Sequence, residues 1–365
     1  MVVTMTKLNK LWLYLKSFDY ILIFAILSLF VVNIFVQYSA NDQSLTRVYN
    51  DVGYLTVSMI IMLIVSHIHI NRIRSIAIPL YIVSLILIAL VLVIGVKVNG
   101  ARRWLNLGIR IQPSEICKLS VPLMVAYVLS LKNNLLTYKN YILGFILILV
   151  PFLIVAKQPD LGTGILIFAA GFFVLFIAGL PWKVIIGSIL LLIASSPLVW
   201  HLLKDYQKTR ILTLIDPQSD PLGAGYHIIQ GLIAIGAGGL TGKGYLHGTQ
   251  IHLSVIPEKH TDFVITVIAE EFGYIGVMIL LGIYFIVALR GLRIMRLADN
   301  RFAQTMAGSI TLSFVLYVLI NMGMVGGIFP VVGVPLPLVS YGGTATIVLM
   351  IGFGILLSIN RVRKY

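Results

Sequence analysis

At 365 residues, 59% of them hydrophobic and only 11% charged, with a mean hydropathy of +1.00, the chain has too little polar surface to coat a water-soluble globule. A soluble domain carries about 25% charged residues. The net charge of +14 would point to nucleic acid in a soluble protein, but in a lipid-solvated chain bases gather in cytoplasmic loops and against anionic headgroups. Membrane lipid is therefore the expected partner and nucleic acid is not. A single cysteine, Cys117, rules out an intrachain disulfide and a cysteine metal cluster and reads as a small packing residue.

Lys7, Lys10 and Lys16 precede an apolar run at 21–36. Tyr38-Ser39-Ala40 is a poor cleavage site and the run is long for a signal peptide, so a retained membrane helix is expected. Ten stretches are long and apolar enough to span a bilayer: 18–38, 52–69, 76–96, 113–131, 140–157, 160–180, 182–202, 262–289, 303–325 and 340–360. Lipid obliges such runs to be helices, and the alternating short strands of a membrane barrel are absent. The expected fold is all-α and polytopic, a single membrane domain over 1–365 with no linker.

An even number of spans puts both termini on one side. That side collects Lys7, Lys10, Lys16, Arg72, Arg74, Lys132, Lys139, Lys183, Arg290, Arg293, Arg296, Arg301, Arg361, Arg363 and Lys364, with Asp19 and Asp299 the acids nearby, which makes it cytoplasmic. Residues 203–261 then form a large extracytoplasmic loop between the seventh and eighth spans. Connections beyond about 15 residues are functional or disordered; the apolar cluster at 227–233 predicts an ordered, partly embedded loop.

Charged groups at membrane depth need a partner or a function, and four places stand out. Arg102, Arg103 and Trp104 are followed by Gln112-Pro113-Ser114-Glu115 and Lys118. Pro113 suits a first helical turn, and Glu115 and Lys118, three apart, share a face. They read as a basic pocket for an anionic headgroup or as an ion pair with an interfacial anchor. Asp160, in Gln158-Pro159-Asp160-Leu161-Gly162-Thr163, is an N-cap or an active-site acid. The glycine run 236–244 fails as a phosphate-binding loop, since Ala237 holds the first glycine position and Gly244 the hydroxyl position. It is a re-entrant turn, or a close backbone approach with Lys243 as a point charge for phosphate. Finally, Glu258-Lys259-His260-Thr261-Asp262-Phe263 leads into the eighth span. Asp262, at the mouth of a membrane helix, is a general base, an N-cap, or a partner for Lys259. Glu270 and Glu271 lie two turns deeper and are expected to be buried and paired or protonated.

These motifs, with Asp220-Pro221-Leu222-Gly223-Ala224-Gly225-Tyr226-His227, His247-Gly248-Thr249-Gln250 and Val334-Pro335-Leu336-Pro337-Leu338-Val339-Ser340-Tyr341-Gly342-Gly343, follow in an order and spacing that resembles the shape, elongation, division and sporulation family (RodA/FtsW/SpoVE). The match runs over nearly the whole chain and favours the elongation-type members. The resemblance implies a peptidoglycan glycosyltransferase that polymerises lipid II, an undecaprenyl-diphosphate-linked substrate, outside the cytoplasmic membrane, with a class B penicillin-binding protein as transpeptidase partner. It makes Asp262 the essential acid and places Glu258, Lys259, Glu115 and Lys118 on active-site or core polar positions.

The donor is an α-linked sugar and the product link is β, so one inversion suits a single displacement. Asp262 would take the proton of the acceptor hydroxyl. Arg102, Arg103, Lys118, Lys243 and Lys259 would neutralise the departing diphosphate, with Trp104, Glu258 and His260 in the substrate-contacting set and Glu115, Asp160 and Ser340 as supporting polar core. A divalent ion, Mg or Mn, would share that charge; no other cofactor is expected. A lipid II flippase and a non-catalytic scaffold of the elongation machinery are the competing readings.

Overall fold

The computed structural model describes residues 18–98, 101–106, 110–131, 137–219, 223–252 and 259–362. In chain order its helices are α1 (Tyr20–Ala40), α2 (Leu45–His67), α3 (Ile70–Ser75), α4 (Ala77–Ile94), α5 (Pro113–Ser130), α6 (Tyr138–Lys157), α7 (Leu161–Ile177), α8 (Trp182–Leu202), α9 (Asp205–Ile215), α10 (Ala224–Gly238), α11 (Thr249–His252), α12 (Val264–Arg296), α13 (Arg301–Val325) and α14 (Gly343–Val362). α1, α2, α4–α8 and α12–α14 answer to the ten expected spans. Among the described residues seven helices are long and apolar enough to cross a membrane outright. α7 and the apolar part of α8 are shorter, and α5 carries Glu115, Lys118 and an internal Pro122. Phe24, Val93 and Leu191 are each at least 70% exposed on the bundle's outside, as helices apolar all round require when lipid is their solvent.

The all-α expectation holds except for one small antiparallel sheet between α4 and α5. It comprises β1 (Val96–Val98), β2 (Ala101–Asn106) and β3 (Arg110–Ile111), with Lys97 opposite Arg102 and Leu105 opposite Ile111. Two boundaries also differ. α2 starts at Leu45 rather than near 52, because the polar Arg47, Asn50 and Asp51 lie inside the helix, Asp51 being buried. α12 runs to Arg296, and it is broken.

A straight helix of 33 residues would be about 50 Å long, well beyond a bilayer's ~30 Å core. The break falls at Gly273, whose φ of 65° lies in the left-handed region that glycine alone enters without strain. Two intrahelical bonds, 274 to 270 and 275 to 271, are given up there. Four replace them. The Lys243 and Gly244 amides donate to the Glu270 and Glu271 carbonyls at 2.9 and 3.0 Å, and the Tyr274 and Ile275 amides donate to the Gly239 and Leu240 carbonyls at 3.0 and 3.1 Å. The glycine run is therefore a plug in the broken helix. Gly242, at φ 80°, leaves no room for a side chain: a Cβ would stand 2.1 Å from the Glu271 carbonyl oxygen.

At the other end of α12, Arg290 grips the α1 N-cap. Its Nε lies 3.0 Å from both Asp19 oxygens and its NH2 2.6 Å from Oδ2, while Asp19 also accepts from the Leu22 amide. Ser358 of α14 donates to the Ile68 carbonyl, and Phe18 meets His67. Both ends of the described chain therefore share one end of the bundle, and Asp262 sits at the other.

Candidate active site

Asp262 is half-buried at the entrance to α12. It does not cap that helix; the N-cap position is Phe263, which makes no side-chain cap bond. What stands out is how the backbone beside it is held. Three consecutive carbonyls are each taken by a different element. The His260 carbonyl accepts from Gln37 Nε2 of α1 and from the Tyr341 amide, both at 3.0 Å. The Thr261 carbonyl accepts from Ser340 Oγ at 2.5 Å, and the Asp262 carbonyl accepts from Asn321 Nδ2 of α13 at 2.8 Å.

The loop that supplies Ser340 and Tyr341 is itself fixed. Ser340 Oγ accepts from the Leu336 amide, Asn33 Nδ2 and Gln37 Nε2 donate to the Val339 carbonyl, Tyr284 OH donates to the Pro337 carbonyl, and Asn321 reaches the Val334 carbonyl at 2.7 Å. Leu338 is held at φ 62° within this loop and is fully buried; such strain in a bulky residue persists only where surroundings impose it. Gly333 brings the same loop against the acid, since a Cβ on it would stand 3.3 Å from Asp262 Oδ2.

Three residues before Asp262, Lys259 is buried, with Nζ 2.7 Å from Oδ1 of Asp42 in the α1–α2 turn. His260 is half-buried and contributes its carbonyl as above. Glu258 lies outside the described residues, as does Asp220.

A second polar cluster lies beyond the Val332–Gly333 backbone, which packs on Gly162 at the start of α7. Asp160 caps α7 through the Thr163 amide, accepts from Gln112 Nε2 at 3.0 Å and faces Arg103 NH1 at 3.7 Å. Arg103 NH2 donates to the Pro159 carbonyl at 2.5 Å, and its Nε is buried with no hydrogen-bond partner among the described residues. Pro113 opens α5 as expected, and Lys118 Nζ sits 2.5 Å from Glu115 Oε1, both side chains 8% exposed. The same ammonium lies 4.9 Å from the centre of the Tyr317 ring. A cavity of about 40 Å³ opens beside this pair, lined also by Leu166, Ser309, Ser313 and Tyr317. Arg102 is exposed on β2, and Trp104 is half-buried there.

The third group surrounds the helix break. Glu270 is fully buried, and its Oε1 takes Lys243 Nζ at 2.7 Å, the Gln250 amide at 3.0 Å and Thr249 Oγ1 at 3.2 Å. Glu271 accepts from Ser39 Oγ and from the Leu246 amide, so both acids are buried and paired, as expected. Tyr245 OH donates to the Phe35 carbonyl; burial first, and then the Glu271 carboxylate, push that phenol above its ordinary range. Lys243 thus arrives as the counter-ion of a structural acid.

Of the expected residues, Asp262, Lys259, His260 and Ser340 form one group; Arg103, Asp160, Glu115 and Lys118 line the adjoining one; Lys243 belongs to the helix break. Asn33, Gln37, Tyr284, Asn321 and Asp42 were not anticipated. A signal for most of them exists, because an amide inside an apolar span costs free energy unless it is satisfied, and Asn33, Gln37 and Asn321 stand in such spans.

The chain matches the cell cycle protein family FtsW/RodA/SpoVE over residues 11–365. It is 48% identical to the peptidoglycan glycosyltransferase MrdB of Escherichia coli K12, across 95% of this chain and 94% of that protein, and 34% identical to a probable peptidoglycan glycosyltransferase FtsW of Trichlorobacter lovleyi, across 95% and 94%. Its fold superposes with a TM-score of 0.83 on a chain of a peptidoglycan synthase complex that coordinates polymerization and crosslinking, at 31% identity over 95% of this chain and 98% of that one. The crystal structure of the Thermus thermophilus rod shape determining protein RodA gives 0.72 at 28% identity, over 95% and 97%. A helical membrane bundle with a plugged eighth span and an acid clamped at its mouth, carrying these likenesses over 95% of its length, belongs to the FtsW/RodA/SpoVE family.

Proposed function

We propose that this chain is a peptidoglycan glycosyltransferase that polymerises lipid II, with Asp262 as general base. The observation that carries the reading is the clamp on three successive carbonyls, His260, Thr261 and Asp262. A base must be held in place before it can take a proton in a transition state, and displacement by about 1 Å costs on the order of 100-fold. Here α1, α13 and the 334–342 loop converge on one short segment, with Lys259 beside it and the Arg103 and Lys118 clusters past the 332–333 backbone.

The acceptor hydroxyl gives its proton to Asp262 as its oxygen attacks the anomeric carbon of the donor sugar. The bond from that carbon to the lipid diphosphate breaks, and the electron pair leaves with the diphosphate. The charge that develops on the leaving group is met by Lys259, Arg103 and Lys118; Arg102, exposed on the sheet, meets the headgroup as it arrives, with Trp104 beside it. Lys243, paired to Glu270, holds the loop in shape. Among the described residues no three His, Cys, Asp or Glu side chains converge on a metal. A Mg or Mn ion, if bound, would be held by the Asp262 carboxylate and would supply positive charge for the departing diphosphate; no step above is routed through it.

The basic residues of the terminal end support a cytoplasmic position for it, which would leave Asp262 facing outside. The likeness to a synthase complex that polymerises and crosslinks supports a class B penicillin-binding transpeptidase as partner. The test is polymer formation from lipid II by the purified chain, with and without the transpeptidase. Wild type makes glycan and Asp262→Asn makes none while still inserting and binding the partner. Glycan made by Asp262→Asn removes the base role; lipid II translocation without polymer by wild type would make the chain a flippase.

A further inference from the structure

Lys259 holds its ammonium three residues before Asp262 with the side chain 8% exposed, while its counter-ion Asp42 is 55% exposed. An ammonium this buried needs an anion against it. The turn between α1 and α2 supplies one, Asp42 Oδ1 at 2.7 Å. That turn sets two consecutive non-glycine residues in the left-handed region, Asp42 at φ 53° and Gln43 at φ 61°, a conformation that persists only when imposed. It is imposed from both sides. Asn41 Nδ2 donates to the Gln37 carbonyl at 2.9 Å and to Gln37 Oε1 at 3.1 Å, and Arg47 NH1 donates to Asn41 Oδ1 at 3.2 Å. Gln37 in turn donates to the His260 carbonyl. The turn that presents Asp42 is therefore tied, through one glutamine, to the segment that carries both Lys259 and Asp262.

We propose that Asp42 is a specificity-determining residue: its carboxylate occupies, on Lys259, the place that a substrate diphosphate takes, and the diphosphate enters by exchanging with it. This rests on the glycosyltransferase reading. The exchange is anion for anion, so Lys259 stays neutralised throughout and no covalent bond changes. Asp42 is already more than half in water and Lys259 is buried, so losing its anion costs the ammonium more than it costs the acid. An uncharged sugar or polyprenyl chain has nothing to offer the ammonium, and a singly charged group offers no more than the carboxylate it would displace. A diphosphate, with more charge and more oxygens, does. The resident carboxylate thus acts against weaker anions as well as holding the lysine.

The test is calorimetric binding of inorganic diphosphate, with inorganic phosphate alongside, to the detergent-purified full chain, together with polymerisation kinetics on lipid II. Asp42→Asn binds diphosphate about fivefold more tightly than wild type, the scale of one lost competing ion pair. Its preference for diphosphate over phosphate narrows, and its KM falls further than its kcat moves. Asp42→Glu, which keeps the competing charge, behaves as wild type, and Lys259→Met loses diphosphate binding with or without the Asp42 change. Diphosphate binding that is unchanged or weaker in Asp42→Asn overturns the proposal, as does wild-type binding by Lys259→Met. Both overturning outcomes are read from binding and need no turnover, so they are distinct from failure of the glycosyltransferase reading, which is judged by polymer alone.

Discussion

Replacing Lys243 with methionine removes the cation from Glu270 and, with it, the 2.7 Å hydrogen bond from the same ammonium to Thr249 Oγ1. The carboxylate it faces is fully buried, the ammonium is 28% exposed, and they are 2.7 Å apart. Removing one partner of a buried pair costs about 3–5 kcal/mol. Two effects lower that figure. The Gln250 amide and Thr249 hydroxyl still donate to Oε1, each such bond to a charged group contributing about 1.5–3 kcal/mol, and the wet lysine gives up part of its worth to solvent. A loss of about 2–3 kcal/mol remains, roughly 3–4 °C in melting temperature, read by intrinsic fluorescence in detergent. Glu270→Gln costs less, because the lysine it strands can hydrate, and the double variant Lys243→Met with Glu270→Gln is more stable than Lys243→Met alone, since no bare charge is left inside. Hydrogen exchange of the 239–252 amides rises in Lys243→Met before global melting. A Lys243→Met protein that melts with wild type, or a double variant whose losses simply add, would refute the reasoning and return Lys243 to a role at the diphosphate.

Three other outcomes are expected. Gly242→Ala forces a Cβ to 2.1 Å from the Glu271 carbonyl oxygen at a φ of 80°, so it expels the plug and the protein is recovered in low yield or aggregated, measured by size-exclusion chromatography. Asn321→Leu frees the Asp262 and Val334 carbonyls together; polymerisation rate falls about 10- to 100-fold with partner binding retained, and Asn321→Gln restores part of it. Arg290→Leu strands the buried Asp19 carboxylate and lowers stability by about 3 kcal/mol without altering the KM of the folded fraction, read by paired melting and kinetic measurements.

The spans were legible because lipid permits one solution for a long apolar run, and every one of the ten falls within a few residues of a helix apart from the early start of α2 and the extension of α12. Charge was harder to read. Arg47 and Asp51 look like loop residues in a sequence window, yet they belong to α2, where neighbours outside the window decide the cost. Glu270 and Glu271 could be read as buried and either paired or protonated, since a bare carboxylate is not carried into apolar surroundings. Their partners could not, because Lys243, Leu246 and Ser39 come from segments that only the broken helix brings together. Asp262 stood out by its position at a helix mouth, but the clamp around it is built from carbonyls, which carry no sequence signature. Only the donors do, as amides at odds with the apolar runs around them.

The plug of 239–244 has a bearing on how the chain is made. It leaves the ribosome before α12, and neither can finish alone: without the plug, the broken helix carries into the membrane two amides and two carbonyls that lipid cannot satisfy, at several kcal/mol apiece, and without the helix the plug's own amides and carbonyls have no partners. Insertion of the eighth span and folding of the loop before it are thus a single event. A tag or deletion placed between Gly239 and Gly244 would be read by the cell as a failure of membrane integration.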